Sequence, residues 1–353
     1  MIKTLSLAAL ALVPQLDLMP RPDPIAELPP ARVAARGGEL VIELPPVDLM
    51  PAGEVGEMAL TPVCRVDIPL SASLYSFRAE IVDAEGQPLS SEFLHHVNLT
   101  DPSRRELFLP IGLHLVAASK ETPPLAVPRW LFGMPIREGD RYIASAMLAN
   151  PTREHKHGVR VRLVFRYVEE DSIWPLWDAY PWVMDVMFPL GKPEGGTKAF
   201  DLPPGPSERF WEARPAIAGS LVGLGGHVHD YATALELTNV TTGEVIWRGV
   251  PERDAEGRVE TMPVTRFYRW YRLGIRIDPA HTYRVTVTYQ NPTGETIPDG
   301  GMGAVAGMFI PDRDAAWPAV DRADPVYQTD LENTLAHRAG PVVMKGHSHS
   351  HKP

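Results

Sequence analysis

The sequence predicts an all-β protein built as two consecutive antiparallel β-sandwiches of jelly-roll type. Three observations carry this reading: apolar and polar residues alternate in several segments, proline is abundant, and one strand-and-turn pattern occurs twice. The 353 residues suffice for about two domains at roughly 150 residues each. Proline accounts for 37 of them, about twice the usual share of ~5%. So much proline disfavours a helical bundle and suits short strands joined by rigid turns.

Taken in order, residues 1–13 place Lys3 before an apolar stretch from Leu5 to Val13. That is the shape of a short secretory signal, although no A-x-A site follows and Pro14 comes at once. The expectation is export to a periplasmic or extracellular space, with a cytoplasmic location left open. Residues 20–30 are rich in Pro and Asp and read as a linker, so residues 1–35 form a leader and linker. A first sandwich is expected over 36–195 and a second over 205–335. A flexible tail, 336–353, carries His347, His349 and His351 and would scavenge metal weakly. Val159, Val161, Leu163, Phe165 and Tyr167 alternate with mostly polar partners, the mark of a half-buried strand. Tyr283, Val285, Val287 and Tyr289 do the same, and residues 235–246 read as a hairpin around Thr242-Gly243. Helical periodicity is confined to residues 327–336. In both halves a Tyr (Tyr142, Tyr283) is followed eight residues later by Asn-Pro-Thr (Asn150, Asn291). The Pro- and Gly-rich stretch 192–207 between these halves is the best boundary by composition.

The chain carries a net charge of −10, with 44% hydrophobic and 22% charged residues. This composition argues against disorder, and no run is apolar enough for an internal membrane span. An acidic chain is a poor partner for a phosphate backbone, so no nucleic-acid ligand is expected. The single cysteine, Cys64, excludes an intramolecular disulfide and any zinc site built on paired cysteines. No phosphate loop, nucleophile elbow, dinucleotide fingerprint or hydrolase triad spacing is present. The aromatic segment 173–188 (Trp174, Trp177, Tyr180, Trp182) is better read as interdomain packing than as a ligand platform. The Arg and aromatic alternation over 266–272 reads as a strand or edge.

Chemistry is concentrated in histidines. His227-Val228-His229 follows Gly225-Gly226 and is expected just before a strand, where residues i and i+2 share a side and two imidazoles could share a metal ion. Read in isolation, two solvated histidines at a strand end explain the pair better. His95 and His96 are adjacent, so on a flat strand they face opposite ways; both reach one ion only where the chain bulges. Met302 stands among glycines that give it little to pack against, and a thioether is a soft ligand suited to Cu(I). An adaptable core methionine is the plainer reading.

In order, the His-His pair, the strand ending in Asn-Pro-Thr, the Gly-Gly-His-x-His-Asp segment, the Tyr-x-Val-x-Val-x-Tyr strand and the isolated Met resemble the copper type II, ascorbate-dependent monooxygenases. This is the superfamily of peptidylglycine α-hydroxylating monooxygenase and dopamine β-monooxygenase, and the resemblance spans roughly residues 40–311. It implies two sandwiches, each with one copper, facing each other across a solvent cleft. His227, His229 and Met302 would hold the second-domain copper, where O2 is activated and a C–H bond of a small-molecule or peptide substrate is hydroxylated. His95 and His96 would belong to the first-domain copper, which supplies the second electron drawn from ascorbate or another one-electron donor. The third histidine expected there is replaced by Ala149, which cannot bind metal. His155, His157 and His114 are the candidate surrogates; otherwise the first site is degraded. A non-catalytic copper-handling protein on the same scaffold is the alternative that Ala149 and the histidine tail leave open.

Overall fold

The structure of the chain, a computed structural model, describes residues 24–120, 122–188, 198–255, 257–269, 272–336 and 339–341. The apolar leader, residues 192–197 of the compositional boundary, and His347, His349 and His351 lie outside the described residues. The protein is all-β, with one α-helix among the described residues. No helix there is long and apolar enough to cross a membrane.

The alternating segments form the strands they predict. Lys156–Glu169 buries Val159, Val161, Leu163 and Phe165, and Tyr283–Asn291 buries Tyr283, Val285, Val287 and Tyr289. Period-2 alternation places these residues on one face, and that face is the core. Ala232–Asn239 and Glu244–Gly249 make the hairpin.

Residues 32–178 build two sheets over one core. In the larger, Glu39–Glu43, Lys156–Glu169, Ala72–Val82 and Phe132–Ile136 lie side by side. In the other, the order is Met58–Leu60, Arg141–Ala149, Leu94–Arg105, Gly112–Ala118. Leu40, Val161 and Leu163 from the first meet Val97, Leu99 and Leu148 from the second. The later strands repeat the plan. Tyr180–Asp185, Gly303–Pro311 and Gly219–Val228 are consecutive in one sheet; Gly205–Ala213, Tyr283–Asn291, Ala232–Asn239 and Glu244–Gly249 form another. Their shared core includes Trp182, Leu235, Val285, Val305 and Phe309.

Three expectations need correction. Tyr180–Asp185 falls within the first unit by composition (36–195), yet it pairs with Gly303–Pro311, because Trp182 and Met184 bury themselves in the second core. The helix expected at 327–336 runs Pro325–Leu335, with Asp324 as its N-cap and Pro325 entering its first turn. Assigned by position to the second unit, it instead packs Leu331 and Leu335 beside Val63 and Ile143 of the first. Finally, Gly340–Pro341 pairs with Met58–Leu60, so these two residues of the expected flexible tail (336–353) belong to a sheet.

The halves are tied by exchanged side chains. Leu107 and Phe108, from the first half, enter the second core, where Phe108 meets Trp182 at 5.3 Å between ring centroids. Trp317 stacks on Tyr180 at 4.4 Å and donates its indole N–H to the Arg105 carbonyl at 2.9 Å.

The repeated Asn-Pro-Thr is a structural knot, closed in each half by a Glu two residues beyond the Thr. Asn150 donates its amide to the carbonyls of Met50 (2.9 Å) and Glu154 (2.8 Å), while its Oδ1 accepts from the N–H and hydroxyl of Thr152. Asn291 does the same with Pro203 (3.1 Å), Glu295 (2.8 Å) and Thr293. Both Asn side chains are buried, so their loss strands carbonyls away from water. Asn291→Ala is expected to lower unfolding free energy by roughly 3 kcal/mol in urea titration; a change below about 0.5 kcal/mol would contradict the role.

Candidate metal centres

His227 is the penultimate residue of the strand Gly219–Val228, and His229 lies in the link to Ala232–Asn239. The pair therefore ends one strand as well as preceding another. Val228 is buried while His227 is exposed and His229 half-buried, so both imidazoles lie on the side away from the core. Their ring centroids are 5.5 Å apart. Across the sheet His227 pairs with Ala304 and Val228 with Gly303. Gly303 is required here, because a Cβ on it would sit 2.6 Å from Val287 Cβ; one on Gly226 would sit 2.3 Å from Leu235 Cδ2, which would have to move. These contacts lie toward the core, and Met302 occupies the break between Ile297–Gly301 and Gly303–Pro311.

One hydroxyl joins this set. Tyr289 accepts from the Met302 N–H (2.8 Å) and the His229 N–H (3.3 Å), and donates to the Met302 carbonyl. Burial pushes its phenol up to about 12, so the hydroxyl keeps its proton at neutral pH. The sequence reading missed this residue's polar role, because alternation marks Tyr289 only as core.

His95 and His96 lie in Leu94–Arg105, where the bulge required of adjacent ligands is present. His96 faces Met147, but Leu148 faces Leu94, so His95 is the extra residue. Leu94 and Val97 remain buried, His95 is exposed and His96 half-buried. The two Nδ1 atoms lie 3.1 Å apart. Nitrogens at this distance share either a proton or an ion; metal–nitrogen bonds of about 2.0 Å put tetrahedral ligands roughly 3.3 Å apart. Ala149 lies farther along Arg141–Ala149, opposite Met58. Met147, directly across from His96, is a thioether donor that sequence spacing could not identify, since only the register brings it there.

The surrogate histidines have other partners. His114 Nδ1 lies 3.1 Å from Glu106 Oε1, and its backbone N–H donates to the same oxygen at 2.8 Å. His155 and His157 lie with ring centroids 3.8 Å apart at a tilt of 52°, beside Asp48. Gly158 N–H fixes Asp48 and, with the neighbouring histidines, holds its carboxyl below the usual range against the opposing effect of its slight burial.

Asp185 pairs with Ala304, which also pairs with His227, so the three residues form a row across one sheet face. The Asp185 side chain is fully buried. Burial pushes its carboxyl up to about 6, against the pull of Lys198, the Met187 N–H and His114. The folded chain thus holds a proton between about pH 4 and 6 that the unfolded chain has lost. Stability from this group falls as pH rises through that window, and the deficit persists above it. Asp185→Asn is expected to raise stability at pH 7.5 by roughly 2–3 kcal/mol and to flatten the pH 4–6 slope in urea titration. Equal parent and variant stability at pH 7.5 would contradict this account.

No family model matches the chain, and no curated protein matches it. Among solved structures it is similar to PNGase F, a glycosylasparaginase from Flavobacterium meningosepticum, at 8% identity and a TM-score of 0.38, over 78% of this chain and 96% of that one. It is also similar to the mavirus major capsid protein, at 9% identity and a TM-score of 0.20, over 88% of this chain and 93% of that one. Likenesses this faint carry no argument.

Proposed function

We propose that the chain is a copper-dependent, oxygen-activating monooxygenase-like protein, built on two consecutive jelly-roll-like sandwiches and exported from the cytoplasm. The observation that carries this reading is the Tyr289 hydroxyl, which binds the backbones of both His229 and Met302 beside His227. Two imidazoles and a thioether form a mixed donor set suited to copper in its reduced state. The bulge that converges His95 and His96 supplies a second pair of nitrogens. Met147 offers the thioether that completes this pair in place of the histidine missing at Ala149.

Bound copper would supply one-electron cycling at each centre and a site for O2. The chain's own residues do the rest. Tyr289 keeps His229 and Met302 in register without ionising. Asp185 lies about 10 Å from His227, two strand spacings away, and its carboxyl can hold a proton near pH 6. A small-molecule or peptide substrate would approach the exposed His227 side, with ascorbate or another one-electron donor reducing the copper.

Cu(I) content of the full chain, loaded under reducing conditions with His347, His349 and His351 replaced by Ala, tests the reading. Two ions per chain are expected, falling to one in His227→Ala and to one in His95→Ala. Met147→Leu is expected to weaken the first site at least tenfold. Unchanged copper in His227→Ala would refute the proposal. Ala149 favours one second reading, a copper-handling protein without catalysis. Ascorbate-driven O2 consumption by the loaded chain that yields a hydroxylated product supports the monooxygenase; tight copper with no hydroxylated product supports the handling role.

A further inference from the structure

The side chains of Asp48, His155 and His157 converge on the surface, their ligating atoms all within 4.8 Å of one another. Asp48 belongs to Val47–Leu49; His157 lies in Lys156–Glu169, and His155 immediately precedes that strand. The two strands pair through Lys156 with Leu49 and Val159 with Val47, with a register shift between them. The shift places His157 and Gly158 in an irregular step, where Gly158 takes a φ of 59°. There the Gly158 N–H donates to Asp48 Oδ1 at 2.8 Å. The other oxygen, Oδ2, points to His157 Nδ1 at 3.7 Å. The carboxylate is therefore oriented through one oxygen and presents the second to the imidazoles, the arrangement by which an outer hydrogen bond aims a metal ligand.

We propose that Asp48, His155 and His157 form a solvent-open binding site for a divalent transition-metal ion, of the Zn(II), Ni(II) or Cu(II) kind. The donors choose the ion. Two imidazoles and one carboxylate suit borderline divalent ions, whereas Ca(II) and Mg(II) favour all-oxygen sites and Cu(I) favours softer sulfur. Three protein ligands leave at least one position for water. All three side chains are exposed, so small rotations close the remaining gaps. The ion would clip Val47–Leu49 to the start of Lys156–Glu169, beside the knot in which Asn150 holds the Leu49 and Met50 carbonyls. The site is independent of the proposed copper centres and stands whether or not they bind copper.

The test is Zn(II) content and affinity of the full chain carrying His347→Ala, His349→Ala and His351→Ala, with and without Asp48→Asn or His155→Ala. Asn at position 48 can still accept from Gly158, so that variant removes the charge and leaves the turn. Each variant is expected to lose one Zn(II) per chain, or at least tenfold in affinity at one site. The loss should add to any produced by His227→Ala. Zn(II), but not Ca(II), is expected to raise the melting temperature of the parent, and the part of that rise due to this site should vanish in both variants. Zn(II) content and affinity unchanged in either variant would overturn the three-ligand assignment, and so would equal stabilisation by Ca(II).

Discussion

The register of Gly219–Val228 against Gly303–Pro311 is the constraint on which the second proposed centre depends. A slip of one residue would turn His227 into the core and Val228 out to solvent. Two features forbid it. Gly303 sits where any Cβ would strike Val287 Cβ, so neither of its neighbours, Met302 and Ala304, can take its place. The Tyr289 hydroxyl then fixes the far end, because it binds backbone groups of both His229 and Met302. A core strand, Tyr283–Asn291, thereby sets the spacing of groups on the opposite face of a neighbouring sheet.

The first half reaches a comparable arrangement by a different local device. A bulge replaces the i, i+2 spacing, and adjacent histidines converge because one of them has no cross-strand partner. Ala149 looks like a lost ligand when read along the chain. Across the sheet the picture changes, since Met147 faces His96 and Met58 faces Ala149. The exchange of Leu107, Phe108 and Trp317 between the halves couples them into one packed body.

Strand identity was legible in the sequence wherever alternation was regular, as at Val159 to Phe165 and Tyr283 to Tyr289. The Asn-Pro-Thr repeat was legible as a pattern but not as a knot, because its partners Met50 and Pro203 are distant in sequence. Tyr180–Asp185 was misplaced for a related reason: composition marks a boundary by its Pro and Gly, whereas sheet membership is decided by which core Trp182 enters. The histidine pairs were legible as motifs. Their neighbours Tyr289, Met147 and Asp48 were not, since each is brought in by register or by a strand far away in the chain. Asp185 was hidden in the same way, as a carboxylate within an aromatic segment that only the folded packing buries.

The most direct test of the copper reading is X-ray absorption at the copper edge of the Cu(I)-loaded chain, with the tail histidines replaced by Ala. The account predicts a sulfur shell alongside imidazole nitrogens, reduced in Met302→Leu and reduced further when Met147→Leu is added. A spectrum fitted by nitrogen and oxygen alone, or a sulfur shell indifferent to Met302→Leu, would contradict it.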